Sequence, residues 1–192
     1  PSGVVDQVVR KGTEPQAQTA IIFNGPFVYN PQTRFDMLAL TTLAQMWLTD
    51  ALREEMGSTY SPSLGGAGSR VPRSEYTIAV QYSSSPENVA RLSARTFRVV
   101  DSLKTQGPAE ADVTKVREQI IRGRETNLKT NGYWASNIAS RDQNGEDIAG
   151  LLAAYDEMVK KLTARQIQEA AKLYFNTNRY VKVVLLPEST VP

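Results

Sequence analysis

Hydrophobic and polar residues alternate in several short stretches of the chain, and a period of two residues is typical of β-strands with one buried face. The alternation is weak over residues 4–9 and clear over 75–82. Residues 19–23, which end at Asn24-Gly25-Pro26, and the strand-like run at 180–186 are also predicted to be strands. The glycine-rich residues 65–68 run into Ser-Arg-Val-Pro and not into a helix, which argues against a phosphate-binding loop. We therefore interpret them as a bulged strand or a hairpin loop.

Apolar residues spaced three and four positions apart predict helices in the rest of the chain. The longest is expected to begin at Thr33, with Asp36 completing a capping box, and to end near Gly57. Its apolar residues cover more than one face, which predicts a buried helix. A further helix is expected from Ser85 as N-cap and Pro86 as first helical residue to the stop at Gly107-Pro108. The next follows at once, with its inner stripe at Val113, Val116, Ile120 and Asn127 and its end at Asn131-Gly132. After Tyr133-Trp134 we expect a short helical piece, a turn at Gln143–Gly145, a helix around 148–160 and a last helix capped by Thr163 with Gln166.

The order of these elements is strands, a helix, two strands, several helices and a closing strand. Such an order predicts an α+β fold in which helices cover a mainly antiparallel sheet. No repeat, linker or low-complexity segment divides the chain, so we expect residues 1–192 to form a single domain. The sequence opens in a stretch with proline and glycine and ends just after a strand-like run, which favours a domain excised from a longer protein.

Composition removes several classes of function. The 192 residues include no histidine and no cysteine, so the commonest metal ligands and the usual general base of a serine or cysteine hydrolase are missing. The net charge is only +2 and the basic residues are interspersed with acidic ones, which is not the clustered charge of a nucleic-acid-binding surface. No apolar run is long enough to span a membrane.

Most chemically suggestive segments have an ordinary structural explanation. Residues 142–147 have the acidic flavour of a calcium loop, but their glycine is in the wrong place, and a solvated turn is favoured. Tyr133 and Trp134 at a helix junction are typical of core residues. Carboxylates on the helices, which alternate with arginines, indicate exposed faces with local ion pairs: Glu110, Asp112, Glu118 and Glu125 beside Arg117, Arg122 and Arg124.

One segment, residues 52–61 (LREEMGSTYS), carries a more specific signal. On spacing alone, Arg53 is a cation at a helix C-terminus, Gly57 a helix cap and Tyr60 a strand residue. The segment also resembles the Arg-Glu-x-x-Gly-x-x-Tyr-Ser stretch in the C-terminal halves of pitrilysin/insulinase-family zinc peptidases, which include the mitochondrial processing peptidases. Other pieces follow in the family's order: KGTEP at 11–15, FNGP at 23–26, DVTKVREQ at 112–119, NGYW at 131–134 and VVLLP at 183–187.

The resemblance, strongest to bacterial single-chain pitrilysin-like zinc proteases, implies a non-catalytic domain of the mitochondrial processing peptidase-like metallohydrolase fold. In this family zinc is bound by an inverted H-x-x-E-H motif in another, homologous domain, and the domains close around a peptide. This chain departs from that motif completely. The resemblance therefore implies no cofactor in this chain, zinc in a partner domain, and a substrate-binding role for Arg53 and Tyr60, which would hold the peptide backbone.

The resemblance thus predicts part of a zinc metalloendopeptidase that is inactive alone, with its zinc-bearing homologous domain and a peptide as partners. The alternatives are a non-catalytic scaffold or partner-recognition homologue of the same family and a stand-alone ligand-binding module of ferredoxin-like build. The intact Arg53 and Tyr60 favour the first interpretation over the scaffold, and the fragment-like ends argue against the module. The sequence leaves the compartment open, whereas the resemblance favours a bacterial and periplasmic protein.

Overall fold

A five-stranded sheet covered by helices forms the framework of the molecule. The computed structural model describes residues 2–56 and 62–188. Within them the strands are β1 (Val4–Arg10), β2 (Ala17–Pro26), β3 (Ser63–Ser69), β4 (Glu75–Ser84) and β5 (Tyr180–Leu186). The helices are α1 (Pro31–Met56), α2 (Val89–Thr105), α3 (Glu110–Asn127), α4 (Asn131–Asn144), α5 (Ile148–Lys161) and α6 (Ala164–Tyr174), with a 3₁₀ turn at Pro86–Asn88 before α2. The predicted α+β class is confirmed.

The sheet is mainly antiparallel, in the strand order β1-β5-β2-β4-β3. Only the pair β1 and β5 is parallel, with Val5 opposite Val181, among the strand pairs of the described residues. The closing strand β5 lies between β1 and β2, where Thr19 pairs with Val184. The last strand in sequence therefore joins the two first strands into one sheet.

The two faces of the sheet have different environments. In β2, alternate residues from Ala17 to Gly25 are buried, and in β4 the buried positions run from Tyr76 to Ser84 with the same period. Their neighbours, such as Gln18 and Ala79, are exposed or half-buried. Since side chains alternate between the faces of a strand, the helices cover one face and leave the other open.

Helix α1 crosses the covered face and is the most deeply buried helix. It contacts β3, α2, α3 and α6, and its buried side chains point in several directions, as the sequence predicted. The large ones are Phe35, Met37, Leu40, Leu43, Leu48 and Leu52. No helix in the described part of the chain has both the length and the apolarity needed to cross a bilayer.

The predicted start of α1 is wrong by about one turn. The helix begins at Pro31, and the Asn30 side-chain oxygen accepts a hydrogen bond of 2.9 Å from the backbone N–H of Thr33. Asn30 is therefore the N-cap and Pro31 the first helical residue, a favoured combination. Asp36 does not cap the helix, because its carboxylate accepts hydrogen bonds from the side chains of Gln32 and Gln166.

Two expectations for the later helices also need correction. Asn131 and Gly132 open α4 instead of ending α3, which stops at Asn127. The chain turns between them through Thr130, whose backbone N–H donates to the Asn127 carbonyl. Asn127 is exposed and so does not belong to the inner stripe of α3. The cap of α6 is confirmed, since Thr163 accepts a hydrogen bond of 3.2 Å from the Gln166 N–H.

The glycine-rich residues form a regular strand without a bulge. β3 pairs with β4 in one unbroken register from Ser63 to Ser69. A Cβ added at Gly66 would lie 2.8 Å from Ile78 Cγ1 and 3.1 Å from Thr41 Cγ2 of α1, and one at Gly68 would lie 2.0 Å from Phe27 Cε1. The missing side chains therefore allow α1 and Phe27 to pack closely on the edge of the sheet.

Two glycines of β3 provide a matched test of this packing. Gly68→Ala should destabilise the fold by about 1–3 kcal/mol, because the new methyl group overlaps the buried Phe27 ring. Gly65→Ala should be neutral or slightly stabilising, since a Cβ there meets nothing within 4 Å. Urea unfolding of both variants measures the difference, and equal free energies of unfolding would contradict this role of Gly68.

Candidate functional site

The C-terminal end of α1 carries one of the two site residues predicted from the sequence. Arg53 lies in the last turn of α1 and is exposed, whereas the preceding Ala51 and Leu52 are buried in the core. No hydrogen bond or ion pair joins Arg53 to another residue within 2–56 or 62–188. Its position at the negative end of the helix dipole suits a cation. Arg53 is thus a solvent-facing cation on an anchored helix end.

Neighbouring contacts fix the end of α1 and the strand that follows. Glu54 accepts a hydrogen bond of 3.1 Å from Arg95 of α2. Further back on α1, the Gln45 side chain donates to the Pro62 carbonyl at 2.9 Å and accepts from the backbone N–H of Leu64. The end of α1 and the start of β3 are therefore both attached to the helical layer. Tyr60 and Gly57 lie outside the described residues, so their predicted roles stay predictions.

A second feature, which the sequence did not predict, is a groove between α1, α3, α4 and α5. Its volume is about 470 Å³, and three arginines contribute to its wall: Arg34, Arg124 and Arg141. We call it the arginine groove. Apolar and amide side chains complete the wall: Phe35, Leu38, Gln119, Ile120, Asn127, Asn137, Tyr133, Tyr155 and Met158, with Gly123 at an open position.

The turn after α4 is tied to α1 by an ion pair. Gln143 and Asn144, which were predicted to lie in a turn, are the last residues of α4, and the chain turns only at Gly145, whose φ is 66°. Glu146, however, is not a solvated turn residue, because its side chain is only 16% exposed and its Oε2 lies 2.6 Å from Arg34 Nη2. Arg141 Nη1 lies 3.9 Å from the same oxygen. One carboxylate therefore faces two guanidinium groups.

Arg124 differs from the exposed helix cation that the sequence predicted. Its side chain is 13% exposed, pairs with Asp156, and stacks with Cζ 4.3 Å from the centre of the Tyr155 ring. Tyr133 and Trp134 also differ from the prediction, since both are half-buried and neither is a core residue. The Trp134 indole donates a 2.8 Å hydrogen bond to the Leu128 carbonyl, and the Tyr133 ring lines the groove.

The described residues form no metal centre. Within 2–56 and 62–188, no group of three or more acidic side chains is arranged to hold a metal ion, and the sequence has no histidine or cysteine. The arginine groove and the end of α1 could therefore bind through hydrogen bonds and charge, which are the means that guanidinium groups provide.

Comparison with known families establishes the class of protein. The family model described as the Peptidase M16 inactive domain matches residues 4–120, more than half of the chain. The chain therefore belongs to the inactive-domain family of M16 peptidases, in agreement with the sequence resemblance. A search of curated protein sequences gives no significant match.

Solved structures of related peptidases share the fold. The ferredoxin protease FusC, in a mutant form complexed with Arabidopsis ferredoxin, superposes with a TM-score of 0.79 and 19% identity over 98% of this chain. The periplasmic protease PqqL of Escherichia coli gives 0.75 and 17% over 97%, and a peptidase M16 inactive domain from Pseudomonas fluorescens gives 0.74 and 14% over 100%. The chain spans 21% of the FusC and PqqL chains and 45% of the Pseudomonas chain.

Tyr155, which lines the groove together with Tyr133, gives a prediction about alkaline stability. Burial raises the pKa of Tyr155 to about 12, and Arg124 opposes this shift only in part. Because this pKa lies above the unfolded value of 10.0, the contribution of Tyr155 to the free energy of unfolding is fully present below pH 10. That contribution is lost as the pH rises through about 12. Tyr155→Phe should flatten this loss, because phenylalanine keeps the ring and cannot ionise.

Urea unfolding at a series of pH values above 9 measures the effect. Burial also raises the pKa of Tyr174 to about 12, so Tyr174→Phe serves as a matched comparison with the same expected sign. A Tyr155→Phe variant that loses stability as steeply as the parent over this range would contradict the assignment.

Proposed function

We propose that this chain is the substrate-binding, chamber-forming half of a zinc-dependent endopeptidase, whose zinc lies in a homologous domain of the same protein. The observation that carries the proposal is the match of residues 4–120 to an inactive peptidase domain, in a chain that lacks histidine and cysteine altogether. A zinc peptidase needs a metal-bound water and a general base. A partner domain would supply both, and this chain would hold the peptide.

The open face of the sheet supports a role as a chamber wall. Ile22 of β2 lies between Ala79 of β4 and Val181 of β5, and Ala20 lies beside Val183 in the same row of side chains. These residues are half-buried and not covered by the helices. An apolar band on an open sheet face is the kind of surface that a peptide or another domain covers.

Arg53 and Tyr60 would act on the peptide backbone. A guanidinium group offers hydrogen-bond donors in a fixed plane, and a phenol offers one donor on a rigid ring. Beside a zinc-bound scissile carbonyl, such donors can fix the neighbouring carbonyl and stabilise the charge that develops as water attacks. The exposure of Arg53 beyond the buried Leu52 supports this role, since its donors face solvent.

The likeness to FusC and PqqL suggests a class of substrate and a compartment. FusC is a ferredoxin protease and PqqL is a periplasmic protease. By that likeness we infer a peptide or protein substrate and a bacterial protein of the periplasm. The peptidase proposal requires an H-x-x-E-H motif elsewhere in the parent protein. The alternative, a non-catalytic scaffold, requires no such motif.

Separating the two halves tests the proposal. The purified chain should retain no stoichiometric zinc after dialysis, because isolated carboxylates make poor zinc sites. It should cleave no peptide alone, yet it should raise the turnover of the metal-bearing half when the two are mixed. Elemental analysis and a fluorogenic peptide assay measure these outcomes. Full activity of the zinc half alone would contradict the division of labour.

Substitutions in the complete enzyme test the two residues. Arg53→Ala and Tyr60→Phe should each lower kcat by about a hundredfold, the scale for losing one oxyanion-type donor. Arg98→Ala, at an exposed arginine on α2, is the matched control and should leave kcat unchanged. Thermal melting of all three variants should stay near the parent. Unaltered kcat and KM in both test variants would mean that other residues hold the substrate.

A further inference from the structure

The arginine groove lies far from Arg53, one of the two residues proposed to bind the peptide. Arg34 is in the first turn of α1 and Arg53 in its last, and 19 residues of helix span about 28 Å. The groove is also built into the helical layer, between α1 and helices α3 to α5, rather than on the open face of the sheet. It is therefore a separate site.

We propose that the arginine groove binds a small organic monoanion, a carboxylate attached to an apolar group. Three guanidinium groups line the groove, and no acidic side chain of the described residues does. The acids that pair with these arginines are not among the residues that line the groove: Glu146 pairs with Arg34 and Arg141, and Asp156 pairs with Arg124. Arg34 and Arg141 have the single carboxylate of Glu146 between them, and a carboxylate ligand would supply a second one.

Arg141 identifies where the ligand's carboxylate would lie. Its side chain is 13% exposed, and its Nη1 is buried with no hydrogen-bond partner among the described residues. Glu146, 3.9 Å away, is too far for a hydrogen bond and is engaged by Arg34 at 2.6 Å. Nη1 itself is enclosed, so a ligand would meet the part of the Arg141 guanidinium that lines the groove. The Arg141 side chain makes no hydrogen bond among the described residues, and a carboxylate is the acceptor that guanidinium groups bind best.

The rest of the wall selects the remainder of the ligand. Phe35, Leu38, Ile120 and Met158 offer apolar contact, and the amides of Gln119, Asn127 and Asn137 offer hydrogen bonds. A volume of about 470 Å³ suits a ligand the size of one or two amino-acid residues. The apolar wall disfavours inorganic phosphate, because phosphate has no apolar group that could be buried against it. The C-terminal residue of a peptide and a free aromatic acid share the required chemistry.

Calorimetric titration of the purified chain with four probes tests the proposal. N-acetylphenylalanine and 3-phenylpropionate should bind, and both should bind at least about tenfold tighter than the neutral N-acetylphenylalaninamide, which lacks the charge. Preference for N-acetylphenylalanine over 3-phenylpropionate identifies a peptide C-terminus as the source, and equal affinity identifies an organic acid. Equal binding of acid and amide, binding of inorganic phosphate alone, or no binding of either acid at millimolar concentration would overturn it.

Two variants locate the binding. Arg141→Gln should lower the affinity for the two acids by about tenfold and leave the affinity for the amide unchanged. Arg95→Gln on α2 should change neither affinity. Gly123→Leu should block the binding of all probes, because the leucine side chain would occupy the groove. The fold should tolerate the change, since a Cβ at Gly123 meets nothing within 4 Å.

Gly132→Leu is the control for the groove-filling change, since Gly132 is equally open but does not line the groove. If Arg141→Gln does not fold by circular dichroism, the two glycine variants decide. Unchanged affinity in Gly123→Leu, or equal loss in Gly132→Leu, would refute binding in the groove.

Discussion

The packing of α1 across one face of the sheet is the contact on which the rest of the structure depends. Gly66 and Gly68 allow it, because side chains at these positions would collide with α1, Ile78 or Phe27. Once the helix lies there, Phe35 and the leucines behind it enter one continuous core with β2 and β4. The same rigid helix carries Arg34 at one end and Arg53 at the other, so its packing fixes both candidate sites relative to the sheet.

Local signals made much of this fold predictable. The strand at 19–23, the alternation in β4 and the cap of α6 at Thr163 depend on neighbours in sequence, and the structure confirms them. The predicted start of α1 was wrong because Thr33 and Asp36 mimic a capping box, although Asn30 and Pro31 provide the stronger signal. The predicted role of Asn131 as the end of α3 was wrong because an Asn-Gly pair can end one helix or open the next.

The sites were less predictable because their contacts join distant parts of the chain. Arg34 and Glu146 are 112 residues apart, and nothing near either residue indicates the other. Arg124 has the sequence surroundings of an exposed helix cation, yet α5 supplies the ring and the carboxylate that cover it. Arg53 could be selected only through a family resemblance, since its exposed position at a helix end is ordinary. The missing histidine and cysteine, by contrast, needed no structure to interpret.

Proximity between Arg53 and a bound peptide tests the central claim most directly. Because the chain has no cysteine, Arg53→Cys creates a single attachment point for a photo-crosslinker before the chain is combined with its zinc-bearing half. Illumination with a peptide substrate should give a crosslink that excess unlabelled peptide suppresses, and Arg98→Cys on α2 should give none. The account is contradicted if position 53 gives no crosslink in the assembled protein, or no more than position 98 does.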